Sequence, residues 1–225
     1  MAKTFSYRRR EVVQGNPAAR GFKARWPALF HVDEINAEFQ RITMLPLEST
    51  FMSQLDNLSP QLTSVFQKKR GVSGQKLAKH LKILQEATSD VNHERAAVLK
   101  ALCVYLGEDD GHLIREYMDI EADDIQRDMQ KTTMSIYVIN KEGGENGHYD
   151  DIGIFVDGVI ILDNIGGAVQ ACAVILGVIY ALNLAYPKEL RYYSFKFIQK
   201  VLLRMDGERL SPRVLGQQNK ISVGL

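Results

Sequence analysis

Cysteine is scarce. Cys103 and Cys172 are the only two in 225 residues. Neither belongs to a Cys-x-x-Cys pair or has histidine at ligand spacing, so a disulfide framework and a thiolate zinc site are both excluded. Each lies in an apolar helical pattern and reads as a small buried hydrophobe. The five histidines, His31, His80, His93, His112 and His148, are scattered, with no His-Glu-x-x-His motif. Excess charge is absent as well. Twenty-eight basic residues face 27 acidic ones, so net charge names no partner.

Long apolar runs are missing too. The most hydrophobic stretch, Ala168 to Leu182, falls short of the roughly 20 residues needed to cross a bilayer, and no membrane association is expected. No charged-apolar-small leader pattern opens the chain, so the expected setting is intracellular, cytoplasmic or nuclear. Phosphate-cradling glycine motifs and the Gly-x-Ser-x-Gly elbow are absent. Glu108-Asp109-Asp110 could offer oxygen ligands to a divalent cation but lacks the calcium-loop spacing. No catalytic residue, cofactor site, metal site or small-molecule substrate is therefore expected, and a hydrolase or transferase with dispersed residues is the weakest reading.

What is present is helical punctuation around one apolar block. Ile152–Val156 and Val159–Leu162 flank Asp157-Gly158, the pair favoured in a type I′ hairpin turn. Met134, Ile136 and Val138, at period two, predict a third strand. The 168–182 run, apolar nearly all round, predicts a buried helix over this sheet. Gly177, on a small-residue ridge with Ala173, Ala181 and Ala185, marks close approach by another backbone. Pro187 is expected to start a final helix that packs on that ridge and ends at Asp206-Gly207.

Upstream the pattern is helical. Trp26 anchors a short apolar cluster. Asp33 is placed to cap a helix with Ile35, Phe39 and Ile42 on one face. Another helix begins after Pro46, and Ser59-Pro60 reads as the cap and first turn of a further one. Asp90 opens a helix ending at Gly107, and Leu113, Ile114 and Tyr117 suggest a short one. The expected fold is mainly α (α+β), a helical domain whose small antiparallel three-stranded sheet packs on a buried hydrophobic helix. Its expected parts are a basic arm at 1–21, a helical lobe at 22–117, an acidic connector at 118–131, a hairpin-and-helix lobe at 132–210 forming one compact domain with 22–117, and a tail at 211–225.

Charge is segregated along the chain. Residues 1–25 hold seven basic side chains against Glu11 alone, and residues 106–128 hold nine carboxylates against two arginines. Arg8, Arg9 and Arg10 in the arm, with Lys68, Lys69 and Arg70 beside the Gly71-Val-Ser-Gly74 turn, are the candidate partner contacts. Trp26, Asp157, Gly158, Gly177 and Pro187 are the candidate structural positions. A Gly-x-x-Gly turn between helices, flanked by lysines, also occurs where KH modules clamp nucleic acid. Nucleic-acid binding through the arm and the Lys68–Lys79 turn is thus the alternative to an unidentified protein partner or homotypic association.

Four segments together carry a family resemblance: Arg25-Trp-Pro-Ala-Leu-Phe30, Glu34-Ile-Asn-Ala-Glu-Phe39, Ala101-Leu-Cys-Val-Tyr-Leu106 and the run from Tyr180 to Tyr192. The chain resembles, over roughly Arg8 to Leu215, the C-terminal region of fish sterile alpha motif domain-containing protein 3-like proteins. That resemblance implies a non-enzymatic interaction or scaffold domain and carries over no catalytic residue. No complete sterile alpha motif is found in the chain.

Overall fold

The computed structural model describes residues 1–85, 90–118, 122–140, 149–190 and 194–205. In chain order its helices are α1 Phe5–Gly15, α2 Ala19–Arg25, α3 Val32–Thr43, α4 Leu47–Lys68, α5 Gly71–Gln85, α6 Val91–Leu106, α7 Ala122–Lys131, α8 Ala168–Leu182 and α9 Ser194–Phe197. The strands are β1 Ile114–Met118, β2 Met134–Asn140, β3 Tyr149–Val156 and β4 Val159–Leu162. The chain divides into two compact units, each built from two separate stretches: Met1–Glu48 with Ile114–Pro187, and Ser49–Leu113 with the residues from Lys188 onward. The expected Asp206-Gly207 stop, the 211–225 tail, His148 and the glycine-rich run at 143–147 lie outside the described residues.

The first unit contains the sheet. Asp157 (φ 49°) and Gly158 (φ 73°) both take left-handed backbone, so the β3–β4 turn is the one their side chains favour. The sheet has four strands, in the order β1-β2-β3-β4, rather than three. It is also mixed: β2–β3 and β3–β4 are antiparallel, but β1 pairs parallel to β2, with Ile114 opposite Ile136. Parallel neighbours require a crossover, and α7 supplies it. The segment read as an acidic connector is therefore the middle of a β-α-β unit. Of the stretch read as helical, Ile114 to Tyr117 enters the sheet instead, because pairing with β2 satisfies its backbone.

Both faces of this sheet are covered, which explains why Met134 to Val138 are all buried. Tyr117, Tyr137 and Phe155 pack with Met129 of α7 on one side. On the other, α8 lies over β2 and β3. Gly153 is obligatory here, since a Cβ would collide with the Tyr137 ring and the Leu162 carbonyl. The Tyr137 hydroxyl donates to Asp151 Oδ2 at 2.7 Å, and Asp151 Oδ1 accepts from the Asn164 amide at 2.8 Å. One carboxylate thus joins β2, β3 and the loop leading to α8.

The small-residue ridge of α8 is occupied from within its own unit. A Cβ on Gly177 would lie 2.5 Å from Ile35 Cγ2 and 2.9 Å from Leu47 Cδ2, so α3 and the first residue of α4 fill that space. Asn183, at φ 54°, then ends α8. Pro187 does not begin a helix. Lys188–Leu190 form a turn, and α9 begins at Ser194, whose N–H is capped at 2.8 Å by Glu108 Oε2. The π-helical turn Ile198–Leu202 continues α9.

Among the described residues, the regular elements of the second unit are all helical. Leu47, Phe51 and Leu55 bury one face of α4 as their spacing predicts. Ser59-Pro60 does not start a new helix, however; α4 runs through it. Proline removes the amide that would bond the Asp56 carbonyl, and Ser59 Oγ donates to the Leu55 carbonyl at 2.7 Å beside the gap. The α6 helix starts after Asp90 and ends at Gly107, where φ is 87°.

Candidate functional site

The basic arm is a pair of docked helices. The α1 helix ends where Asn16 turns left-handed (φ 41°), just before Pro17. It is fastened by Arg8, which is 1% exposed. Arg8 Nη2 lies 2.7 Å from Glu38 Oε2 and Nε 3.3 Å from Oε1, and Nη1 donates to the Met1 carbonyl at 2.9 Å. Arg41 Nη1 shares Glu38 Oε2 at 2.7 Å. Arg9 Nη1 donates to the Tyr180 carbonyl of α8 at 2.9 Å. On α2, Lys23 Nζ donates to the Ile160 carbonyl on edge strand β4 at 3.0 Å.

Two of the proposed contact residues are therefore committed internally. Arg8 is a structural ion-pair residue rather than a surface contact, and Arg9 holds α8. Only Arg10 of the three points fully outward, with its guanidinium carbon 5.7 Å from the centroid of the Tyr7 ring.

Around Arg10 lies an aromatic surface that the sequence reading passed over. Tyr7 is 55% exposed and meets Trp26 edge-on, at 6.0 Å between centroids. Trp26 is half-buried, between core and surface, and Arg8 lies 5.6 Å from its ring centroid. The indole N–H donates to Glu11 Oε2 at 3.2 Å, and Glu11 also pairs with Arg25. Lys3, Tyr7, Arg10 and Gln14 recur at three- and four-residue spacing and are all exposed. Tyr7, Arg10 and Gln14 form one outward stripe of α1, and Lys3 precedes it in the Ala2–Thr4 turn.

The second basic group lies in the other unit. Lys68, Lys69 and Arg70 are exposed where α4 passes into α5, and Lys69 Nζ is 5.3 Å from the Tyr105 ring centroid. Gly71 takes φ 73°, and a Cβ on Gly74 would lie 2.5 Å from the Lys69 carbonyl oxygen, so both glycines are required by the tight turn. No strand flanks this turn among the described residues of its unit.

Elsewhere, the surroundings of Asp110 and Cys103 shift their titration. Asp110 Oδ2 is 3.1 Å from both His80 Nε2 and Lys79 Nζ. Burial alone would raise the Asp110 carboxyl, but its contacts with His80 and Lys79 outweigh that and hold the group well below the usual carboxylate range. Burial, reinforced by Glu108 and Asp110, pushes the Cys103 thiol up to about 12. Such a thiol is a poor nucleophile. A groove of about 420 Å³ runs between α4 and α6, with Pro60, Leu84 and Val98 in its lining and Asp56 and Arg95 at its margin. Arg95 closes bidentately on Asp56 at 2.6 and 2.7 Å. Among the described residues, no three His, Cys, Asp or Glu side chains gather to hold a metal, and no helix is long and apolar enough to cross a membrane.

Residues 1–31 match the family model described as sterile alpha motif domain-containing protein 3, helical domain. The chain resembles that family over this stretch. The match covers α1, α2 and the Pro27–Leu29 turn, the elements that carry the Tyr7–Trp26 surface. No curated protein and no solved structure matches the chain.

One signal for the docked arm was present in the sequence. Glu38 falls on the same helical face as Ile35, Phe39 and Ile42, and a carboxylate on a core face demands a buried cation. Tyr7 carried no comparable signal, because one aromatic residue in a polar helix has no periodic partner.

Proposed function

We propose that this chain is a non-enzymatic protein-interaction domain of a scaffold-like kind, engaging its partner through the outward stripe of α1. The observation that carries this reading is the exposed Tyr7, stacked beneath Arg10 and edge-on to Trp26, on a helix fastened by a buried ion pair. Tyrosine, tryptophan and arginine dominate binding hot spots, and a pre-docked helix presents them without an ordering cost. The resemblance over residues 1–31 supports the same reading. The proposed setting is cytoplasmic or nuclear, in keeping with two free, buried thiols.

Photocrosslinking tests it. With benzoylphenylalanine in place of Tyr7, cell extracts should yield a reproducible crosslinked protein or a crosslinked dimer, whereas the same probe at exposed Ser53 should not. A strictly monomeric protein that crosslinks to nothing from position 7 overturns the proposal. Nucleic-acid binding through the arm and the Lys68–Lys79 turn is the alternative. It calls for affinity that falls steeply with salt and with joint alanine replacement of Lys68, Lys69 and Arg70.

A further inference from the structure

We infer that the α1 stripe recognises an acidic peptide segment, one that combines carboxylates with an apolar or aromatic side chain. The inference rests on the interaction reading above and adds the chemistry of the partner.

The charge available on this face decides between kinds of anion. Arg8 is buried against Glu38, Arg9 and Lys23 donate to backbone carbonyls, and Arg25 is paired with Glu11. Lys3 and Arg10 are the cations exposed along the stripe, and Arg20 on α2 is exposed as well. A duplex or long single strand draws its affinity from many phosphates neutralised together, roughly six to ten in strongly salt-dependent complexes. Two stripe cations provide far less. An isolated side-chain carboxylate fits better, because a guanidinium lying over an aromatic ring keeps its N–H edge free for bidentate pairing.

The apolar half of the ligand follows from Tyr7. Its ring is more than half exposed, and Trp26 has its only polar atom satisfied by Glu11, leaving ring surface for packing. A phenylalanine or leucine beside a ligand carboxylate would cover Tyr7 while the carboxylate meets Arg10. Aromatic contact and ion pair would then reinforce each other in one partly desolvated patch.

Trp26 is the only tryptophan, so its emission reports this surface alone. The full chain is titrated with a soluble glutamate/phenylalanine dodecapeptide, with lysine/phenylalanine and glutamate/serine counterparts, and with oligothymidylate. The acidic aromatic peptide should change Trp26 emission saturably. Tyr7→Ala and Arg10→Glu should each weaken it about tenfold or more, the loss of one hot-spot contact. Lys82→Glu, at an exposed position of α5, should leave it unchanged. Tyr7 and Arg10 are exposed, so unaltered thermal melts of these variants exclude misfolding.

Equal binding of the lysine peptide overturns the inference, as does binding that ignores Arg10→Glu. Tighter, Arg10-dependent binding of oligothymidylate overturns it in favour of nucleic acid. Crosslinking from position 7 that persists while no acidic peptide moves Trp26 emission defeats the inference but leaves the interaction reading standing.

Discussion

Arg8 and Glu38, thirty positions apart, form a forked ion pair with both side chains almost wholly buried. Removing one partner of such a pair strands the other charge in the interior, at a cost of about 3–5 kcal/mol. Arg41 still reaches Glu38 in the variant, so Arg8→Ala should cost on the order of 3 kcal/mol, the low end of that range. Arg8→Lys restores the charge but not the fork, and should recover only part of the loss. Urea melts of the three proteins measure both steps. Equal midpoints for wild type and Arg8→Ala would mean that α1 is not held by this pair.

Gly177 lies where α8 meets α3. Its missing side chain leaves space already filled by Ile35 and Leu47, so Gly177→Leu should overpack the site and destabilise by about 1–3 kcal/mol. Gly177→Ala sets a helix-propensity gain of about 1 kcal/mol against the same contact, and should remain destabilising because two branched side chains must move. Thermal melts should rank wild type, alanine and leucine in that order.

Asp110 makes stability depend on acid. Its folded carboxyl titrates below the ordinary value of 3.8, so it binds fewer protons folded than unfolded, and its contribution rises with pH. That contribution is complete above the ordinary carboxylate range and disappears as pH falls through the folded value. Asp110→Asn should therefore cost about 1.5–3 kcal/mol at neutral pH, the scale of a hydrogen bond to a charged group. The gap from wild type should close on acidification below about pH 4. Chemical denaturation across that window checks the sign.

Cys103 should resist thiol reagents. With its thiol pushed from 9.0 up to about 12 and its side chain buried, labelling by a disulfide reagent at mildly alkaline pH should follow unfolding rather than direct attack. Cys172 is equally buried. Native protein should release almost no chromophore, and protein in guanidinium should react promptly at both positions. Rapid native labelling of Cys103 would contradict its described environment.

Legibility followed the range of the interactions. The β3–β4 turn could be read because Asp157 and Gly158 themselves favour left-handed backbone. The α8 helix could be read because nearly every side chain in it is apolar and lies in the core. The start of α4 followed from the spacing of Leu47, Phe51 and Leu55. By contrast, Ile114–Met118 is too short for periodicity to separate helix from strand. Its pairing with β2, across the α7 crossover, made it a strand and made the sheet mixed. Pro60 was read as a helix start because local rules place proline there, yet α4 continues through it with Phe51 and Leu55 on one side and Leu62 and Phe66 on the other, all buried.

The candidate surface divides the same way. Sequence alone determined that the first 25 residues are basic, that a lone tryptophan follows them, and that Glu38 lies on an apolar helical face. Composition and 3.6-residue spacing carry that much. Which arginine is structural and which faces a partner was decided only in three dimensions. Arg8, Arg9 and Arg10 are chemically identical neighbours, and α1 turns about 100° per residue. That rotation brings Arg8 to Glu38, Arg9 to the Tyr180 carbonyl and Arg10 out over Tyr7. Their roles differ because their tertiary surroundings differ.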